Sequence, residues 1–236
     1  MKKALLVLMA GIIATTNSFA QNGFYLSPSV GIGMGNGDFS REDNSFNRVT
    51  HPATFVYHGK LIIGYEFNNW RLQTGIQYFN SKYKIKGALF SSDFDPTGNA
   101  TSANSVIQNS YKHIGIPLQL GYVLGSDRKL SVVPYVGIIA AYNFRNFTDQ
   151  VSVSGAAIQK RKWEADVFNP NFNGMSIWGT AAVHLEYKLS KRISIIAGPS
   201  SQYMISNFRN NPSGTVYQST QHNYTLSLDA GVKIKL

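Results

Sequence analysis

From residue 24 onward the chain alternates. Phe24, Leu26, Pro28, Val30, Ile32 and Met34 share one parity, while Tyr25, Ser27, Ser29, Gly31, Gly33 and Gly35 hold the other. A period of two, with one face apolar and the other small or polar, is the mark of a strand. The pattern returns at Phe55 to Phe67, Trp70 to Tyr78, Ile114 to Leu124, Leu130 to Tyr142, Ile177 to Tyr187, Ile193 to Tyr203 and Tyr224 to Leu236. The spacing therefore predicts eight strands. The connections between them alternate as well. Residues 36–52, 84–110, 145–175 and 208–220 form long ones, whereas 68–69, 125–129 and 190–192 form short turns.

A soluble antiparallel sandwich also alternates, but its strands usually run about 5–6 residues. Most runs here exceed ten residues, and roughly 9–11 tilted residues are needed to cross a bilayer. Short turns on one side and long loops on the other fit an outer-membrane barrel. Ring placement points the same way. On the apolar face Phe24, Tyr65, Phe67, Trp70, Tyr122 and Tyr187 fall at the short-turn ends. Phe55, Tyr57, Tyr78, Tyr142, Tyr203 and Tyr224 fall at the long-loop ends, with aliphatic residues between. Two aromatic girdles around an aliphatic band match the two membrane interfaces. The expected fold is all-β: an eight-stranded antiparallel up-and-down transmembrane β-barrel with short periplasmic turns and long extracellular loops. Hydrocarbon offers no partner to a bare N–H or C=O, so the last strand should close on the first. Pro28, Pro117, Pro134 and Pro199 fall inside strands, where bulges or rim positions would accommodate their missing donors.

Composition sharpens this picture. Of 236 residues only 14% are charged and 13% are aromatic, and cysteine is absent. Disulfide scaffolds, thiolate zinc sites and cysteine nucleophiles are thereby excluded. Met1-Lys2-Lys3, the apolar run Ala4 to Ala14 and the end Ser18-Phe19-Ala20 form a secretory signal pattern. The predicted domains are a signal peptide at 1–20 and a barrel at 21–236. Losing Lys2 and Lys3 lowers the formal charge from +10 to +8. The expected location is the bacterial outer membrane.

An eight-stranded barrel is only wide enough for side chains inside. The inward parity holds Lys60, Arg71, Lys188, Lys233 and Lys235 against Glu66, Glu186 and Asp229, with His58, His113 and His184. Buried charges of mixed sign should pair, since an unpaired one costs several kcal/mol. Glu66 and Arg71 face each other across the Asn68-Asn69 turn and are the expected pair. The lumen is read as plugged.

Two segments carry a family resemblance. Tyr111-Lys-His-Ile-Gly-Ile-Pro-Leu-Gln-Leu-Gly-Tyr122 resembles the fourth strand of the outer-membrane β-barrel (PorT-like) family. Pro134-Tyr135-Val136-Gly137-Ile138 is similar to its fifth strand, although Ile139-Ala140 stands where glycine usually follows. The resemblance implies the barrel fold and the outer membrane. It implies no activity.

Candidate chemistry is sparse. No catalytic residue, metal site or cofactor is predicted. Asp38, Glu42, Asp43 and His51 share one loop, and Asp93 and Asp95 another, without a spacing that builds a water-activating site. Asp93 to Asn99 lacks most of a calcium loop. Ser110 and His113 have no supporting spacing for lipid acylation. The glycines 31, 33 and 35 open no helix and are read as lumen-side packing. No continuous basic face suits nucleic acid. Lys82, Lys84 and Lys86 share the outward parity at the top of the third strand, and Lys112 tops the fourth. These four are the predicted contacts for membrane lipid, lipopolysaccharide phosphate in particular. Lys160-Arg161-Lys162-Trp163 offers a second basic site for a partner or for lipid. The leading expectation is a non-enzymatic structural or surface-interaction barrel acting through its long loops toward an extracellular partner. The alternatives are a small-solute porin or a component of a protein-secretion apparatus, and third an outer-membrane enzyme.

Overall fold

The computed structural model describes residues 23–41, 51–90, 102–154, 157–165, 174–206 and 219–236. The signal segment, Glu42, Asp43, Asp93 and Asp95 lie outside them. Nine strands follow in chain order: β1 (Gly23–Arg41), β2 (Thr54–Phe67), β3 (Trp70–Phe90), β4 (Ser102–Tyr122), β5 (Leu130–Ser154), β6 (Ala157–Ala165), β7 (Met175–Lys188), β8 (Ile193–Met204) and β9 (Ser219–Lys235). Every pairing is antiparallel, and eight strands close a ring in the order β1-β2-β3-β4-β5-β7-β8-β9. Closure is made by β1 on β9, with Tyr25 opposite Lys235 and Val30 opposite Ala230. The fold is a closed eight-stranded antiparallel barrel with no helix among the described residues.

Alternation sets the two faces. Along β2 and β7 every second side chain is buried and the others are exposed. The exposed set is apolar (Val30, Leu61, Ile116, Leu228) and the buried set is largely polar (Lys60, Arg71, Gln119, Asp229). That inversion of the usual globular order is what a wall with lipid outside requires. The Asn68-Asn69 turn is two residues long, with Asn68 in the left-handed region at φ 53°. Asn tolerates that conformation better than most residues.

A ninth strand, β6, stands outside the eight that close the barrel. The regions expected as loops 84–110 and 145–175 are largely sheet. β3 runs 21 residues, β4 21 and β5 25, all well beyond β2 and β7 at 14. β6 folds back on the upper part of β5, with Val151 opposite Lys160. Above the hydrocarbon a strand no longer needs an apolar face toward lipid, so the apolar signal that marks a strand fades while the pairing continues. Likewise β1 reaches Arg41, inside the expected loop 36–52.

The prolines interrupt pairing without shifting it. β1 and β9 resume the same register after skipping Ser27 and Pro28. β3 and β4 skip Pro117, and β7 and β8 skip Pro199, in the same way. Pro134 lies just past the end of the β4–β5 ladder, at the short-turn rim. The register shift falls elsewhere, between Lys112 and His113 on β4, where Phe144 is the extra residue of β5.

Candidate functional site

The lumen is filled in three storeys. At the short-turn end the Arg71 guanidinium reaches Glu66 at 2.8 Å and Glu186 at 2.6 Å. Lys233 contacts Glu186 at 2.5 Å and Glu66 at 3.4 Å, and Lys235 approaches Glu66 at 3.4 Å. Arg71 also donates to the Tyr135 hydroxyl at 3.2 Å. The Tyr25 ring sits under both cations, 5.7 Å from the Arg71 guanidinium carbon and 5.6 Å from the Lys233 ammonium. Arg71 is 2% exposed and Glu186 0%, so neither charge is left to water.

A second cluster lies toward the long-loop end. Lys60 donates to Asp229 at 2.8 Å and Ser200 donates to its other oxygen at 2.7 Å. His58 and His184 approach the same carboxylate at 2.9 and 3.4 Å. Gly31 makes this convergence possible. A Cβ there would stand 2.2 Å from the His58 ring and 2.6 Å from Asp229, so the expected packing role of this glycine has a specific object. Histidines and a carboxylate do converge, but inside the lumen and not in an open cleft. Among the described residues no group of His and carboxylate side chains fits a metal ion. Between the clusters Gln73, Gln119 and Thr180 form a hydrogen-bonded bridge. A cavity of about 20 Å³ remains, lined by Tyr25, Lys60, Arg71, Gln73 and His184. That volume suits one or two waters.

The third storey is a plug of rings. Phe79 stacks on His113 at 4.8 Å, and Trp178 meets both rings edge-on at 5.2 and 5.5 Å. Tyr83, Tyr111, Ile139, Ala141 and Met204 complete the cluster. His113, placed by parity in the polar and charged lumen network, lies inside the barrel but apart from the ion clusters. Its ring belongs to the aromatic plug, with Ser81 at 3.0 Å as a polar neighbour. Lys188 is also displaced from that network. Its ammonium donates to the Ser126 carbonyl in the short turn, at the short-turn mouth of the barrel. Trp178, Phe79 and Tyr135 were missed as lumen residues, although each has the inward parity of its strand.

Outside, the aromatic residues lie on the lipid face. Phe24 and Tyr65 pack at 5.0 Å and Trp70 and Tyr122 at 4.9 Å near the short turns. Phe55, Tyr57, Tyr78 and Phe144 form a chain at the other end, each ring 6.1–6.5 Å from the next. Tyr187 faces Lys129 at 5.1 Å, Tyr203 stacks on His222, and Tyr142 and Tyr224 are exposed. Lys82, Lys84 and Lys86 alternate with lumen-facing Tyr83 on β3, and Lys112 projects outward from β4. Lys112 is paired across the ladder with Arg145, and both cations lie over the Phe147 ring, at 5.2 and 4.9 Å. Arg145 was hidden in an expected loop behind the Phe144 bulge. Asp38 and Lys160 to Trp163 lie on described backbone of β1 and β6. His51 offers its carbonyl to Asn36.

These features define a class: an outer-membrane-type β-barrel with a side-chain-filled lumen. No protein-family model matches the chain and no curated protein does, so the PorT-like resemblance stays with the two segments that carry it. Among solved structures it is similar to Neisserial surface protein A, at 14% identity and a TM-score of 0.41, covering 91% of this chain and 97% of that one. It is also similar to the outer membrane protein OprG from Pseudomonas aeruginosa, at 14% identity and 0.42, covering 91% and 96%. The outer membrane protease OmpT from Escherichia coli gives 10% identity and 0.45, covering 94% and 99%. What these proteins do is not carried to this chain.

Proposed function

We propose that the chain is a non-conducting, non-catalytic outer-membrane barrel that carries a protruding sheet and loops on the cell surface for contact with an extracellular partner. The observation that carries this reading is the lumen. Two ion clusters and a ring plug succeed one another along the axis, and the cavity between the ion clusters measures about 20 Å³. A solute path would have to cross all three, and removing one partner of a buried ion cluster costs about 3–5 kcal/mol. The strands past the rim, β3 to β6, then supply the part of the molecule that meets the outside. Planar-bilayer recording tests the reading: the refolded protein gives no steady unitary conductance. Reproducible openings in the wild-type protein would return the lumen to a transport role.

A further inference from the structure

The lipid-facing wall has an indentation below the lysines of β3. A groove of about 660 Å³ runs across β9, β1, β2 and β3, walled by Pro28, Val30, Leu61, Ile76 and Tyr78. Its floor is Gly59, which has the outward parity of β2 and lacks a side chain where every neighbour on that face has one. A Cβ built on Gly59 meets no atom within 4 Å. The hollow is therefore open toward the hydrocarbon.

Gly59 is the ladder partner of Tyr78, and Lys82 stands four residues further along the same strand. At about 3.3 Å per residue that separation is roughly 13 Å. One leaflet of a hydrocarbon core about 30 Å thick is roughly 15 Å deep. With strands tilted about 35–45° the drop along the membrane normal is roughly 10 Å, so a headgroup at Lys82 places the middle of its own acyl chain at the groove. Above Lys82 the outward positions are Lys84 and Lys86, and Lys112 and Arg145 flank them across β4 and β5. Among the described residues no carboxylate forms a salt bridge with Lys82 or Lys84.

We propose that this face binds one molecule of lipid A, the phosphorylated and acylated anchor of lipopolysaccharide. Its phosphates sit on Lys82, Lys84, Lys86, Lys112 and Arg145, and one acyl chain lies in the Gly59 groove. The assignment rests on the outer-membrane reading, because the long-loop end then faces the leaflet that holds lipopolysaccharide. A row of several cations suits a headgroup with more than one phosphate. A single-phosphate phospholipid would leave most of the row unused, since each basic residue contributes separately to attraction by an anionic surface.

The mature chain is refolded in detergent and mixed with purified lipid A, dephosphorylated lipid A or phosphatidylglycerol, and the bound lipid is read by native mass spectrometry. The wild-type protein retains lipid A at least tenfold better than either comparator. The variant K82Q/K84Q/K86Q/K112Q loses that tenfold preference. Gly59→Leu fills the groove from an empty position, keeps the fold, and weakens lipid A retention several-fold with the lysines intact. Equal retention of phosphatidylglycerol, or unchanged lipid A retention in either variant, overturns the site. A heat-dependent gel shift on the same samples reports barrel formation separately. A chain that never shifts defeats the membrane-barrel reading, and a chain that shifts but ignores lipid A defeats only the lipid site.

Discussion

Arg71 is the side chain on which the lower lumen turns. It holds Glu66 and Glu186 together, one from the strand across the tight turn and one from the far wall. Arg71→Ala leaves two carboxylates facing each other with only Lys233 and Lys235 between them. The expected loss is about 3–5 kcal/mol, the range for removing one member of a buried pair. Urea unfolding in lipid vesicles, followed by tryptophan fluorescence, measures it. The combined variant R71M/E66Q removes one charge of each sign, leaves Lys233 paired with Glu186, and costs less than Arg71→Ala alone. Asp229 gives a similar contrast, because Lys60, His58, His184 and Ser200 all converge on it. Asp229→Ala is expected to destabilise more than Lys60→Met in the same assay. A milder loss from Asp229→Ala would mean that water, and not the carboxylate, holds that cluster.

The strands themselves divide into a part that membrane physics wrote into the sequence and a part that it did not. Within the hydrocarbon, alternation of Leu61, Ile63 and Tyr65 with Lys60, Ile62 and Gly64 fixes both strand and register, because a one-residue slip would turn Lys60 outward into lipid. The facing of Glu66 and Arg71 was legible for the same reason. Beyond the rim, residues such as Gln108, Asn109 and Ser110 carry no such contrast, and β4 continues through them unannounced. The Phe144 bulge reverses the parity above it, which is why Arg145 could not be placed by counting. The ring plug escaped for another reason: parity shows which side chains point inward but not which of them meet across the barrel. Trp178 lies on β7 and Phe79 on β3, strands that do not pair. Trp178→Ala opens a cavity in that plug and is expected to cost about 3–5 kcal/mol. It should still give no conductance, since the Lys60–Asp229 cluster lies below. The natural absence of cysteine makes strand extent directly measurable. A cysteine at Gln108 is expected to react with a membrane-impermeant maleimide on intact cells, and one at Ile116, among lipid-facing residues, is not. Equal labelling would move the rim.

As a whole molecule the protein is polar within and apolar without, and its low charge content is that of a wall. The positive excess also separates by location. Lys60, Lys233 and Arg71 are neutralised inside, whereas Lys82 and Lys84 stand on the outer face at one end. The ion clusters have a further consequence, for assembly. Lys60 and Asp229 are 169 residues apart, Lys233 and Glu66 are 167 apart, and Arg71 and Glu186 are 115 apart. The first two pairs join β2 to β9 and cannot meet while the sheet is still open, because β9 must first reach β1. An unclosed sheet entering the bilayer would carry Lys60 and Asp229 without each other as counter-ions, a state that hydrocarbon penalises heavily. Closure and charge neutralisation therefore happen in one step. The barrel should insert slowly and without populated half-formed species, as expected for a topology dominated by non-local contacts.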